Sequence, residues 1–200
     1  MLNVNLEDIT ELHNITHISN LPSIWANGIL SHAQVGRIRH ISVASSDVQD
    51  KRAKKIIPGG RPLHEYVNLY FDARNPMLYF LKDQHADLCI LRIDPEVMKL
   101  PGAIISDRNA SSDYARFSGY PDGLKHLERD MIFARYWTHP DNPFYEMEHK
   151  SLKCAEVLVP ERIDRRYITG GYVSCTDGEA CFHKTGVPLS VTMNPFLFFR

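Results

Sequence analysis

A mixed α+β domain built on central, mostly antiparallel strands is what this sequence predicts, and three features point there. Short runs rich in Val, Ile, Leu, Tyr and Phe recur between turn residues, as sheet strands do. Segments with a helical period are fewer and fall between these runs rather than alternating strictly with them. No internal repeat, low-complexity tract or linker interrupts the chain. Residues 1–200 therefore read as one domain, long enough to bury a core without staples.

Leu12 to Ile18 alternates and reads as the first strand. Ser19-Asn20 before Pro22 is a helix start, and Gly28 after Trp25-Ala26-Asn27 is a helix stop. Residues 31–61 are polar, basic and punctuated by glycine, with at most a short helix near Asp47 to Lys55. Segments of that length in compact domains tend to carry function. Tyr66 to Phe71 is a strand and Pro76 to Leu81 a short helix. Leu88 to Ile93 is a buried strand and Ala103 to Ser106 a shorter one. Leu124 to Trp137 has helical character, after which Pro140 and Pro143 break the pattern. Cys154 to Val159 is a strand ended by Pro160, Tyr167 to Cys175 another, and Leu189 to Phe199 supplies one or two more.

A net charge of -1 excludes nucleic-acid binding through bulk charge alone. The charge is uneven, however: across residues 37–61, Arg37, Arg39, Lys51, Arg52, Lys54, Lys55 and Arg61 meet only Asp47 and Asp50. Such a cluster is either a solvated face or a groove for phosphates. Neither a signal-peptide pattern nor an apolar run long enough for a bilayer is present, so the expectation is a cytoplasmic protein with no membrane partner. Four cysteines without a C-x-x-C pair read as reduced and mostly buried, a Cys175–Cys181 bridge being the alternative. The chain has no G-x-G-x-x-G, Walker loop or G-x-S-x-G elbow, which argues against a Rossmann cofactor site, a P-loop NTPase and an α/β-hydrolase.

Chemistry concentrates in three places. Residues 50–71 gather cations around a flexible Gly59-Gly60 hinge beside an aromatic strand, an arrangement suited to a phosphate-rich ligand. Within that stretch His64 and Tyr66 either line a pocket or form a buried structural pair. Glu156 lies in an apolar strand, sharing a face with Cys154 and Leu158. Because an unpartnered carboxylate is costly to desolvate, it either faces water from an edge strand or occupies a cleft with partners. Ser106 to Phe117 offers Arg108 and Arg116 for phosphates with Tyr114 and Phe117 for bases, or else forms a loop junction with buried aromatics. His13 and His17 stand i, i+4, but in a strand-like segment they suit the lining of a ligand cleft better than a metal, and no metal is expected.

An ordered set of motifs resembles one family. It comprises Asn14-Ile-Thr-His-Ile-Ser-Asn-Leu21, Asn27-Gly-Ile-Leu30, Lys51-Arg52-Ala53, Pro58-Gly-Gly60 and Leu63-His-Glu-Tyr-Val67. Leu69-Tyr-Phe71, Asn75-Pro-Met-Leu-Tyr79, Ser106-Asp-Arg108, Ala115-Arg-Phe117, Ala134-Arg-Tyr-Trp137 and Ala155-Glu156 complete it. Taken together these resemble the DarT-type DNA ADP-ribosyltransferases, toxins of the DarT–DarG toxin–antitoxin systems. The resemblance implies an ADP-ribosyltransferase-like fold, a central mostly antiparallel split β-sheet flanked by helices. It implies NAD as a consumed substrate with no permanently bound cofactor. It further implies transfer of ADP-ribose to thymine or guanine in single-stranded DNA, and a macrodomain-containing antitoxin as partner.

Carried over by position, Arg52 and Glu156 match the catalytic pair. His13, Asn14, Thr16, Gly28, Ile29, Leu30 and Arg52 match the NAD-binding part, with Gly28 to Leu30 near the adenosine end. Lys51, Lys54, Arg108, Tyr114 and Arg116 are the candidates for holding DNA. Two departures mark this chain: Asn14 stands where the family commonly has His or Arg, and Asn68 replaces its usual strand proline. The competing readings are transfer to RNA, protein or water on the same fold, and a non-catalytic single-strand binding module.

Overall fold

The structure, a computed structural model, describes residues 4–199. Its frame is one eight-stranded sheet, flanked by helices, with a two-stranded ribbon beside it. The strands are β1 (Leu12–His17), β2 (Ile29–Leu30), β3 (Tyr66–Tyr70), β4 (Leu88–Ile93) and β5 (Ile104–Ser106). They continue as β6 (Phe117–Ser118), β7 (Glu156–Pro160), β8 (Arg162–Ile163), β9 (Ile168–Val173) and β10 (Val191–Met193). The large sheet runs β10-β9-β4-β1-β3-β7-β5-β6, antiparallel throughout except for the parallel β9–β10 edge.

Alternation in β1 explains how both faces of the sheet are covered. Leu12 enters the main core with Leu69, Leu91, Val157 and Phe182, while Ile15 enters a second core with Leu78, Ile90 and Phe198. The sheet is split between β1 and β3. Those strands share the single pairing His13–Tyr70, whereas β1 pairs β4 from Leu12–Ile93 to His17–Leu88. Asn14 spans the opening, its Nδ2 donating to the Asn68 carbonyl at 3.3 Å.

The helices are α1 (Leu21–Asn27), α2 (His32–Val35), α3 (Ser46–Ala53), α4 (Pro76–Phe80), α5 (Arg129–Ile132), α6 (Pro143–Leu152) and α7 (Thr176–Lys184). Residues 31–61 are more ordered than their composition suggests, since α2 and α3 lie within them. The Gly59-Gly60 turn is tied down rather than a flexible hinge. Ile57 and Arg61 exchange a backbone bond, Leu63 N–H donates to the Lys55 carbonyl, and Ile57, Leu63 and Tyr66 form a third buried cluster.

Several elements differ from the sequence reading. Leu124 to Trp137 is not one helix: a 3-10 turn (Asp122–His126) and the one-turn α5 are separated by Glu128 in extended backbone, so Leu124, Leu127 and Ile132 reach the core from separate pieces. Pro143 does not break a helix but opens α6, at the first helical position, with the Asn142 side chain accepting the Tyr145 N–H at 3.1 Å. Helix α7 carries Phe182 as its one large core residue, too few to show a period in sequence. Of Leu189 to Phe199 only β10 is strand. All four cysteines are free thiols, with Cys89 and Cys154 buried and Cys181 exposed on α7. Among the described residues no helix is long and apolar enough to cross a membrane.

Gly28 closes α1 at φ 79° and ψ 178°, a region essentially reserved for glycine. A Cβ there would drive into the Ile163 carbonyl oxygen, because Ile29 pairs with Ile163 immediately after the turn. Gly28→Ala should therefore cost about 1–3 kcal/mol from backbone conformation alone, read as a lower urea midpoint at unchanged m-value. An unchanged midpoint would mean that β2 and β8 separate freely.

Candidate active site

Helix α3 presents two faces. Val48, Lys51 and, just past its end, Lys54 line an open cleft, while Arg52 turns inward and is 6% exposed. Its Nη1 lies 3.2 Å and 3.1 Å from the two carboxylate oxygens of Glu156, a residue 104 positions away and 1% exposed. Glu156 Oε1 also accepts the Ala110 N–H at 3.0 Å. The carboxylate opens β7, between Tyr70 of β3 and Ser106 of β5 in register. It therefore occupies a central strand with partners, and the alternative of an edge strand facing water falls away.

The surroundings of the pair keep other groups neutral. His32 and His64 pack together near Arg52, their rings tilted by 36° with centroids 4.2 Å apart. Burial first, then neighbouring cations including Arg52, holds both imidazoles below their usual titration range. His64 Nε2 is buried without a hydrogen-bond partner among the described residues. The Tyr66 hydroxyl accepts the Arg61 N–H at 3.3 Å, and the ring beside His64 is that of His32, so of the two readings of His64 and Tyr66 a direct structural pair is not formed. Burial pushes the Tyr70 hydroxyl well up, with Glu156 adding to the effect, and pushes the Cys154 thiol up to about 12. Neither supplies an anionic nucleophile at neutral pH.

Two cavities flank the pair. The smaller, about 160 Å³, is lined by Asn14, Thr16, Gly28, Ile29, Leu30 and His32 among others. Five of the residues expected to hold NAD thus converge. His13 does not: strand alternation turns it to the opposite face, where Nε2 meets Glu11 Oε1 at 3.1 Å. His13 and His17 stand roughly 13 Å apart along β1, at about 3.3 Å per residue, and among the described residues no three His, Cys, Asp or Glu side chains cluster as a metal site would require.

The larger cleft, about 1400 Å³, is lined by all five residues expected at DNA: Lys51, Lys54, Arg108, Tyr114 and Arg116. Lys55 and Lys150 join them, against Asp113 and Glu148. The loop carrying the arginines is organised by the buried Asp107, which accepts from Arg116 Nε at 2.8 Å and Arg108 Nη2 at 3.4 Å. Tyr114 is 81% exposed, but Phe117 is half-buried against the third cluster and does not present a stacking face. Sequence reasoning missed Phe144, Met147 and Lys150 because their helix, α6, was hidden behind its opening proline. His32, lining the small cavity, neighbours Arg52; Tyr70 and Cys154, lining the large one, neighbour Glu156. Arg52 and Glu156 themselves line neither cavity; each is buried behind residues that do.

The family model described as ssDNA thymidine ADP-ribosyltransferase, DarT, matches residues 13–199. A DNA ADP-ribosyl transferase–DNA ADP-ribosyl glycohydrolase fusion protein of Thermosipho africanus (strain H17ap60334) is 37% identical over 172 residues, which is 82% of this chain. The chain spans only 42% of that relative's length. A DNA ADP-ribosyl transferase of Thermus sp. (strain 2.9) is 33% identical over 162 residues, covering 75% of this chain and 74% of its own. The solved structure of Thermus sp. 2.9 DarT in complex with NAD+ matches with TM-score 0.76 and 25% identity, over 96% of this chain and 98% of that one.

Removing one partner of a buried ion pair strands the other. Arg52→Ala and Glu156→Ala should each lose about 3–5 kcal/mol of stability, and the double variant less than their sum, as read by urea denaturation. Additive losses would show that the two groups do not interact. The depressed imidazoles give a second prediction. They bind protons less readily in the fold than unfolded, so stability is intact above their ordinary value of 6.5 and falls as pH drops below it. Melting temperature should decline from pH 7.5 to pH 5.5, less steeply in His32→Gln/His64→Gln; equal slopes would contradict the assignment.

Proposed function

This chain belongs to the DarT family of ssDNA thymidine ADP-ribosyltransferases, and on that footing we propose that it transfers ADP-ribose from NAD to a thymidine base of single-stranded DNA. Residues 1–200 act as one ADP-ribosyltransferase-like domain. The observation that supports the reading most is the buried Arg52–Glu156 pair, with its neighbours lining a small cavity on one hand and a large cationic cleft on the other. One cavity suits part of a dinucleotide and the other a phosphodiester chain. The smaller lies below the roughly 300–1,000 Å³ of ligand pockets, so only one end of NAD enters it and the pyrophosphate reaches toward Arg52.

In this reaction the C1′–N bond to nicotinamide breaks, and nicotinamide leaves with the electron pair. The lone pair of a base nitrogen forms the new bond at C1′, and the proton of that nitrogen goes to Glu156. Glu156 also hydrogen-bonds the nicotinamide ribose, where its charge matters most as oxocarbenium character develops. Arg52 exchanges Glu156 for the pyrophosphate, a bidentate contact that a lysine makes less well. Asn14 and Thr16 hold the dinucleotide from β1, and Gly28 to Leu30 lie at its adenosine end. Lys51, Lys54, Arg108 and Arg116 hold the DNA backbone and Tyr114 stacks on a base.

The Thermosipho relative joins transferase and glycohydrolase in one chain. That fusion supports a toxin role here, opposed by a macrodomain-containing antitoxin that reverses the modification, and the cytoplasm is the location we propose for both. Labelled NAD incubated with single-stranded DNA, duplex DNA and RNA should leave covalent label on thymidine-containing single strands. Label on RNA or protein alone would move the acceptor, and none on any acceptor would remove the enzyme. Glu156→Gln, which keeps the shape of the site, and Arg52→Ala should each lose at least about a hundredfold in turnover.

A further inference from the structure

Beyond the cleft the surface continues as aromatic rings interleaved with cations. Phe80 lines the cleft and is 65% exposed; Tyr79, beside it on α4, packs edge-on against Trp137 and Phe199 at 6.2 Å and 5.2 Å between ring centroids. Edge-on packing fixes the Tyr79 ring and leaves it half open to solvent. Lys82 Nζ stands 5.0 Å from the Tyr79 centroid, the Arg74 guanidinium 3.9 Å from Phe199, and the Arg135 guanidinium 5.5 Å from Tyr136. Tyr136 is 66% exposed. Arg74 is buried enough, and close enough to Arg135, for its cationic form to be disfavoured. Arg74 Nη1 is held by the Phe196 and Phe198 carbonyls at 3.1 Å and 2.8 Å, and cations fixed beside exposed rings form an arrangement that can take a phosphate next to a stacked base.

We propose that Phe80, Tyr79 and Tyr136, with Lys82, Arg74 and Arg135, form a second nucleotide-stacking surface for the single strand as it leaves the acceptor cleft. The proposal rests on the DNA reading above and extends it to flanking nucleotides. Its occupant is a single-stranded nucleic acid rather than a protein, because the strip shares Phe80 with the cationic cleft and Asp72, the carboxylate beside Arg74, is taken up by Lys153. Stacking is sequence-tolerant, since every base has a π-face. The strip therefore adds affinity for length and leaves the choice of acceptor base to the cleft.

The test measures binding by fluorescence anisotropy without NAD, on a short oligonucleotide and on the same oligonucleotide extended on its 5′ or 3′ side. One of the two extensions should tighten binding. Arg135→Glu/Tyr136→Ala should remove that gain, about tenfold or more, with a weaker salt dependence, while binding of the short oligonucleotide is unchanged. Lys82→Glu, a single charge reversal at a half-buried site, gives the same readout should the double variant fail to fold. No gain from either extension, a gain retained in the variants, or an equal loss on the short oligonucleotide would overturn the proposal. Label transfer from NAD to the short oligonucleotide reads the reaction independently. Length-dependent binding without transfer would sink the reaction and leave the strip standing.

Discussion

A guanidinium and a carboxylate buried face to face, at the place where the sheet splits, constrain most of what surrounds them. Burying two charges costs several kcal/mol each, and their attraction offsets this only with good geometry and further hydrogen bonds. Here Arg52 reaches both oxygens of Glu156, and the Ala110 amide satisfies one of them again. The short helix bearing the arginine has little intrinsic strength. It holds its place because the turn that follows it is pinned through Ile57 and Leu63.

The two cavities are reached through the pair's neighbours. His32, beside Arg52, lines the small cavity, and Tyr70 and Cys154, beside Glu156, line the wide cationic cleft. A second buried pair steadies the start of β7: Lys153 donates to Asp72 and, at 2.6 Å, to the Ile132 carbonyl. Asp107 does the same for the arginine loop. Both carboxylates neutralise a cation and order the backbone around it, which leaves Lys51 and Lys54, with no carboxylate within 4 Å among the described residues, as open phosphate contacts.

The strands were legible because alternation and β-branched runs are local signals, and Glu156 drew attention as a lone carboxylate in an apolar strand. Its partner was legible only through the ordered motif set, since nothing local says that Arg52 turns inward while Lys51 does not. The helix opening at Pro143 was misread because a proline at a helix start and a proline breaking one look alike without the Asn142 cap in view. The break near Glu128 reflects core packing that overrides a helical period. His13 was drawn into the site by its neighbour Asn14, yet a one-residue offset on a strand reverses the face. The contact of His32 with His64 spans 32 positions and leaves no trace in sequence.

The account rests on an exchange of partners at Arg52, and a crystal structure with a non-hydrolysable NAD analogue reads it most directly. The account predicts that the 3.1 Å contact between Arg52 Nη1 and Glu156 opens, with the guanidinium on the pyrophosphate and the carboxylate on the nicotinamide ribose. An intact ion pair with the analogue bound elsewhere would contradict it.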